Sequence, residues 1–169
     1  TSSGITICIS SGDSGSSPVG GVFMFEPCYP ASIPSVVGVG ATALHRADPK
    51  LSTPVETGCH ALLGDLITGS GGISIVFDAT PSQKRNFDAS IYPSSIIQKN
   101  NGAGVNFTRG RPVPDVSAIG SEIFAVIQKM NVSVAGTSAS SPIFASMLSL
   151  VINDLLLNGK NLYDVNQFI

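Results

Sequence analysis

The sequence predicts an α/β fold, and three observations support that prediction. Short apolar runs occur at residues 5–9, 36–41 and 114–119, and the first lacks polar alternation, which is typical of parallel strands covered on both faces. A long apolar segment begins near Ser138 and has the length of a helix. Only 12% of the residues are charged and 43% are hydrophobic, so we expect most of the chain to be buried.

The first half of the chain reads as two strands followed by irregular sequence. Residues 5–9 (ITICI) and 36–41 (VVGVGA) are predicted strands, and the glycines of the second suggest close approach of another backbone. Residues 42–72 are expected to be mostly loop. A surface helix interrupted by Pro93 is predicted within residues 82–100. Because a domain seldom opens on its most buried strand, we expect further sequence upstream.

The second half is expected to contain a hairpin and a helix. The apolar runs 123–128 and 132–135 predict the two strands of the hairpin. The helix is predicted to start near Ser138, with Pro142 in its first turn and residues 158–159 (NG) as its stop signal. Apolar residues occupy nearly every face of this helix, which predicts that it is buried.

Composition excludes two classes of partner. Nine Lys and Arg against eleven Asp and Glu give a net charge of −2, and no stretch clusters the basic residues, so a nucleic-acid-binding surface is not expected. The most apolar run, residues 143–157, is interrupted by polar side chains, so no membrane span is predicted. The first basic residue is Arg46, and no secretion signal is expected in this chain. The sequence does not predict the oligomeric state.

The first candidate for chemistry is Ser138, between the hairpin and the helix. A serine at a helix start faces the positive end of the helix dipole and free backbone N–H groups, which favours a nucleophile whose reaction develops an oxyanion. The small residues Gly136, Ala139 and Ser140 would let a substrate backbone approach. The alternative is ordinary helix capping by Thr137 or Ser138.

The second candidate is Asp13, in the loop after the first strand. A carboxyl group at the end of a central strand lies where α/β folds bind ligands, although an Asx-turn would also explain it. The chain has two histidines, His45 and His60, and neither lies in a motif. A Ser-His-Asp triad is therefore poorly supported, and we expect surface roles for both.

A family resemblance rests on five ordered segments. They are 4–15 (GITICISSGDSG), 29–42 (YPASIPSVVGVGAT), 69–72 (GSGG), 111–118 (RPVPDVSA) and 135–142 (AGTSASSP). Together they resemble the sedolisin family, the serine-carboxyl peptidases that include tripeptidyl peptidases, from about residue 4 to residue 157. The resemblance implies a subtilisin-like, mostly parallel sheet with flanking helices, incomplete in this chain, so that residues 1–169 form part of a peptidase catalytic domain.

The resemblance also implies roles for the two candidates. Ser138 looks like the acylating nucleophile and Asp13 like the acid that stabilises the oxyanion, which it can do only when protonated. The family's base is a glutamate oriented by an aspartate, and both belong to a segment upstream of the first strand. That choice suits low pH, where an ordinary imidazole is already protonated. Asp115 is a weak alternative base, since the resemblance places it in a buried structural segment.

Further expectations concern substrate and metal. By resemblance, substrate binding involves the small-residue positions Ser70, Gly71, Gly72, Gly136 and Thr137. Ile73 stands where the family has another glycine, which would either narrow a substrate cleft or reflect relaxed selection, and Ala135 replaces a serine. The family's calcium loop follows the last helix, but residues 162–169 lack its glycines and aspartates, so calcium is expected for the complete domain and no metal within this chain.

The resulting functional prediction is a serine-type peptidase that acts through an acyl-enzyme at acidic pH in its complete parent. It would cut peptides or proteins internally or remove tripeptides. The alternative is a truncated non-catalytic copy or peptide-binding remnant, and the isolated chain is expected to be inactive. A secreted, lysosomal or vacuolar location is implied by the family.

Three cysteines and two sequons complete the analysis. Cys8 is expected to be a core thiol, and Cys28 and Cys59 could form a disulfide. Asn106-Phe107-Thr108 and Asn131-Val132-Ser133 match the N-glycosylation sequon, which is compatible with secretion.

Overall fold

The computed structural model describes residues 5–16, 26–45, 53–86, 94–95, 106 and 108–160. The strands are β1 (Cys8–Ser10), β2 (Val37–His45), β3 (Val55–Gly58), β4 (Gly72–Asp78), β5 (Gly110–Val113), β6 (Val116–Ile119), β7 (Ile123–Ile127) and β8 (Met130–Val134). The helices are α1 (Pro81–Asn86) and α2 (Thr137–Leu157), and a short 3-10 turn covers Ala61–Leu63. Helix and sheet therefore combine in an α/β arrangement.

The sheet that positions the site is centred on β2. This strand pairs in parallel with β1 and β6 and antiparallel with β3. At Gly40 of β2 the close neighbours are side chains and not the backbone expected from the sequence, because a Cβ there would lie 2.6 Å from Oγ of Ser117 and 2.9 Å from Cγ of Pro114. Helix α2 packs against β1, β2 and β6. The loops that follow the parallel strands therefore open at the same edge of the sheet as the start of α2.

Two smaller antiparallel pairs flank this sheet. The predicted hairpin is confirmed as β7 and β8, joined by Gln128 and Lys129, whose φ angles of 52° and 66° form a tight turn. The other pair, β4 with β5, was not predicted, since its first strand begins inside the expected loop 42–72. The predicted helix within 82–100 appears as α1, and residues 87–93 and 96–100 lie outside the described part of the chain.

The prediction that the first strand is central and buried is wrong. Strand β1 is only half-buried, and the preceding Ile5 and Ile7 are 63% and 44% exposed. The physical reason is that β1 pairs with β2 alone among the described strands. Nothing described therefore covers its second edge.

The prediction that the long helix is buried is also wrong. Helix α2 starts and ends as predicted, which places Pro142 in its second turn, but its buried residues are confined to the beginning: Thr137, Ser140 and Ser141. Leu150 and Leu157, farther along, are 71% and 79% exposed, because the described sheet covers only the first turns. By length and composition alone, α2 could cross a membrane. A single such helix is weak evidence for a membrane span, so the absence of a span stays a prediction.

Candidate active site

Ser138 and Asp13 come together through Thr137. Oδ1 of Asp13 accepts hydrogen bonds from the backbone N–H of Thr137 at 2.7 Å and from its hydroxyl at 2.8 Å. The Thr137 hydroxyl in turn accepts from the backbone N–H of Gly12 at 3.1 Å, across 125 residues of sequence. The loop after β1 is thereby fixed to the first turn of α2.

The structure also bears on the helix capping and the Asx-turn considered from the sequence. The N-terminal cap of α2 is Gly136, which has no side chain, and the N–H of Thr137 in the first turn donates to Asp13 instead, so Thr137 and Ser138 are not the cap residues. The carboxylate of Asp13 bonds to a residue distant in sequence, which an Asx-turn does not require.

Gly136 separates the two reactive groups. A Cβ at this position would lie 2.8 Å from Oγ of Ser138 and 3.3 Å from Oδ2 of Asp13. Both oxygens therefore border the same small space, which stays open because glycine has no side chain. Ser138 and Asp13 are both exposed, so solvent and ligands can reach that space.

The two oxygens of the Asp13 carboxyl group have different surroundings. Oδ1 is engaged as the acceptor of both bonds from Thr137, whose side chain is 1% exposed. When the carboxyl group is protonated, its hydrogen is therefore best placed on Oδ2, the oxygen on the Ser138 side.

The segment from Thr68 to Ser70 holds the Asp13 loop from the other side. The backbone N–H of Thr68 donates to the carbonyl of Asp13 at 3.2 Å, and the N–H of Ser70 donates to the carbonyl of Gly12 at 2.7 Å. The hydroxyl of Ser70 accepts from the N–H of Ser14 at 3.0 Å. Sequence reasoning missed this role of Thr68, because only the fold brings the two loops together.

The residues predicted to bind substrate occupy several positions around this loop. Ser70 and Thr137 are 3% and 1% exposed, and both hydroxyls bond to the segment that carries Asp13. A Cβ at Gly71 would lie 2.7 Å from the carbonyl oxygen of Val113, and Gly72 is buried at the start of β4. Substrate contact by Ser70, Gly71, Gly72, Gly136 and Thr137 stays a prediction.

Neither histidine is hydrogen-bonded to Ser138 in the described part of the chain. Nε2 of His45 lies 3.2 Å from Oδ2 of Asp65, an ion-pair distance, although the ring N–H is not aligned for a hydrogen bond. Nδ1 of His60 accepts from the N–H of Leu62 at the start of the 3-10 turn. Their partners lie in the loop between β3 and β4.

Asp115 makes contacts that hold the fold together. Its Oδ2 accepts from the N–H of Gly38 and from Nη2 of Arg111, both at 2.7 Å, and its Oδ1 accepts from Nε2 of Gln83. Arg111 is 1% exposed and also donates to the carbonyl of Val36. A carboxylate bound in this way to β2, β5 and α1 has a structural explanation.

The disulfide that Cys28 and Cys59 could form is not present, because both thiols are free. Cys28 is exposed, and its Sγ would lie 3.1 Å from a Cβ at Gly12. Cys59 is buried; this burial, followed by the charges of Asp65 and Asp13, raises the pKa of Cys59 to about 11. The half-buried Cys8 is less enclosed than a core thiol.

The calcium expectation can be tested only on the described residues. Within them, no group of three or more His, Cys, Asp or Glu side chains could hold a metal ion. Residues 161–169 lie outside the described ranges. No calcium site is assigned to the described residues, and calcium in the complete domain stays a prediction.

Comparisons with known proteins extend the picture. No family model matches the chain. The chain is 34% identical over 160 residues to tripeptidyl-peptidase 1 of Mus musculus, 35% to that of Macaca fascicularis and 32% to that of Homo sapiens. Each match covers 93% of this chain and 26% of the relative, so the chain spans about a quarter of the length of these relatives.

A solved structure agrees with these matches. It is Pseudomonas sedolisin, a serine-carboxyl proteinase, complexed with two molecules of pseudo-iodotyrostatin. The TM-score is 0.54 at 25% sequence identity, over 85% of this chain and 37% of the other. The α/β fold and these relatives define the class, which is that of the serine-type peptidases. Within that class, the chain belongs to the sedolisin family and corresponds to part of its domain.

Proposed function

We propose that Ser138 is the acylating nucleophile of a serine-carboxyl peptidase and that Asp13 stabilises the oxyanion. The observation that carries the proposal is the small space at Gly136, bordered by Oγ of Ser138 and Oδ2 of Asp13. A substrate carbonyl beside Ser138 would have its oxygen within reach of the carboxyl group. The start of α2 adds a favourable electrostatic field at the same place.

The chemical steps follow from this placement. Oγ of Ser138 bonds to the carbonyl carbon while its proton passes to a base, and the carbonyl π electrons move onto oxygen. Oδ2–H of Asp13 donates to that oxyanion. The tetrahedral intermediate then expels the amine, which takes the proton back from the base, and water hydrolyses the resulting ester by the same sequence.

Acidic medium suits this arrangement. An ionised Asp13 would repel the developing oxyanion, so the mechanism needs the protonated form. In the described residues, no histidine or glutamate is hydrogen-bonded to Oγ of Ser138. We assign the base to another part of the complete protein, where the family resemblance expects a glutamate. A carboxylate base still works at a pH where imidazole is protonated.

The complete protein would act on peptides or proteins. The matched relatives are named tripeptidyl-peptidase 1, which supports removal of tripeptides, and cleavage within chains is the alternative. We place the protein outside the cell or in a lysosome or vacuole, where the medium is acidic. We also propose that the complete domain has a subtilisin-like sheet and binds calcium outside the described residues.

The test measures hydrolysis of a peptide substrate at acidic pH by the gene product that contains this chain. Ser138→Ala is expected to lower kcat by about 10³-fold or more, because the acyl-enzyme cannot form. Asp13→Ala should cost about 10²-fold or more, and Asp13→Asn less, since an amide N–H₂ can still donate to the oxyanion. Full activity in Ser138→Ala would overturn the assignment.

A non-catalytic peptide-binding role is the second candidate. It is favoured by the absence, in the described residues, of a base bonded to Ser138. In that case the 169-residue chain should bind a peptide but show no turnover between about pH 3 and pH 6, the range set by carboxyl groups. Turnover that disappears in Asp13→Ala would contradict this second role.

A further inference from the structure

The β7–β8 hairpin presents one face to solvent. Its register pairs Asn131 with Val126 and Ser133 with Phe124. Residues directly opposite each other in an antiparallel pair lie on the same face of the sheet. Phe124 and Val126 are 71% and 67% exposed, so this outer face combines two apolar side chains with two polar ones.

The opposite face of the hairpin is turned toward the protein. Away from the turn, its residues alternate with those of the outer face and are half-buried: Ile123, Ala125, Val132 and Val134. Ile127 and Met130, beside the turn on the same face, are 51% and 60% exposed. The alternation establishes which face is open. It also shows that Phe124 and Val126 are left uncovered by every described residue around them.

The two polar residues of the outer face belong to one sequon. Asn131-Val132-Ser133 has the form Asn-x-Ser, and both Asn131 and Ser133 are exposed. Within the described ranges, the side chain of Asn131 makes no hydrogen bond. By contrast, Oδ1 of Asn106 accepts bonds from the N–H and hydroxyl of Thr108 and from the N–H of Arg109. Asn131 therefore has its amide free on an open surface.

We propose that Asn131 carries an N-linked glycan and that the glycan covers Phe124 and Val126. Nδ2 of Asn131 would form a bond to the anomeric carbon of an oligosaccharide supplied on a lipid diphosphate carrier. The bond from that carbon to the carrier oxygen breaks, the carrier leaves with the electron pair, and the amide nitrogen gives up one proton. The site goes beyond the peptidase function, although it relies on passage through the secretory pathway.

The neighbourhood of Asn131 explains why a sugar fits. The side chain of Val126 is directly opposite, and Phe124 lies at the diagonal position, which long and aromatic side chains can reach. The C–H faces of sugar rings can pack on such side chains while the hydroxyl groups remain in water. An exposed apolar patch otherwise marks a site of association, so the glycan would keep this hairpin from sticking to other chains.

Site occupancy is tested on the full gene product secreted from a eukaryotic host. Amidase release of the glycan in heavy-oxygen water should convert residue 131 to a labelled aspartate detectable by peptide mass spectrometry. Asn131→Gln and Ser133→Ala should abolish the label at that position, and Ser133→Thr should preserve it. Asn106→Gln is the matched control, since it leaves the hairpin unchanged.

Coverage is tested separately by binding of a hydrophobic dye. Asn131→Gln should raise dye binding about twofold or more, because the apolar face becomes open. Adding Phe124→Ser and Val126→Thr should return it to the starting value, and Asn106→Gln should not raise it. If residue 131 carries no glycan, in either the secreted or the retained protein, the glycosylation site is wrong. If dye binding is unchanged in Asn131→Gln, the claim that the glycan covers the apolar face is wrong. Ser138→Ala should carry the same glycan, so this result is independent of peptidase activity.

Discussion

Thr137 is the residue on which the candidate site depends at the smallest scale. Its N–H and hydroxyl fix one oxygen of Asp13, and its hydroxyl also accepts from Gly12. The second oxygen, Oδ2, is left facing the space beside Ser138. The N–H and the buried hydroxyl of Thr137 together thus determine which oxygen of the carboxyl group is available to a ligand.

The first prediction concerns the space at Gly136. Gly136→Ala should place a methyl group 2.8 Å from Oγ of Ser138 and 3.3 Å from Oδ2 of Asp13, in the region needed by an oxyanion. We expect a loss in kcat of about 10²-fold or more, with little change in KM. The measurement is steady-state kinetics of the full gene product, with circular dichroism to confirm folding. Ala139→Gly is a control, and unchanged kcat in Gly136→Ala would contradict the geometry.

At the scale of elements, the loops and short strands are joined by polar contacts between neighbours. The Arg111–Asp115 pair connects β5 with the start of β2, and Gln83 brings α1 to the same carboxylate. Both charged side chains are nearly buried, at 1% and 9% exposure. Removing one partner would leave the other charge without compensation in a region that water hardly reaches.

The second prediction concerns this pair. Asp115→Ala should lower the free energy of unfolding by about 3–5 kcal/mol, because the Arg111 guanidinium remains buried without its carboxylate. Gln83→Ala removes hydrogen bonds to this carboxylate, to the carbonyl of Pro112 and from the N–H of Thr80 but leaves the ion pair in place, and it should cost about 1–2 kcal/mol. Urea unfolding measures both. Unchanged stability in Asp115→Ala together with a large loss of kcat would instead identify Asp115 as a base.

Predictability from sequence also differs between elements. The hairpin and both ends of α2 were predicted, because local alternation, turn residues and stop signals determine them. The burial of β1 and α2 was not, since burial depends on which other elements are present to cover a face. The Ser138 and Asp13 segments could be found from motif order, but the Thr137 bond to Asp13 could not, because a threonine at a helix start is usually read as a cap.

At the scale of the whole molecule, exposed apolar surface accompanies a small core. Core residues such as Val39, Ala43 and Ile73 are 0%, 2% and 1% exposed, whereas many large apolar side chains on α2 and the hairpin are open. Among the described cysteines, Cys59 belongs to the core. The rate at which this thiol is alkylated therefore measures how often the structure opens.

The third prediction uses this thiol. Because the pKa of Cys59 is raised from 9.0 to about 11, the thiolate at pH 8 is about 100-fold rarer in the folded state. Alkylation should modify exposed Cys28 quickly and Cys59 only after denaturant is added. Mass spectrometry after timed quenching measures both, with Cys59→Ser as the control. Equal rates in the native protein would show that the thiol is not enclosed.

The raised pKa of Cys59 also makes the free energy of unfolding depend on pH. A thiol whose folded pKa lies above its unfolded value keeps its contribution to stability below about pH 9, and that contribution is lost as the pH rises toward about 11. Wild-type protein should therefore lose more stability than Cys59→Ala across that interval. Urea midpoints at several pH values provide the comparison.

The bond between Gly12 and Thr137 also has a consequence for the order of events during synthesis. Its partners lie 125 residues apart, so the ribosome makes the acid-bearing loop long before the helix that carries the hydroxyl. A contact between residues so far apart in the sequence is expected to form late in folding. Asp13 and Ser138 thus remain apart in the nascent chain until helix α2 has docked, and the peptidase activity proposed for the complete protein would arise only after that step.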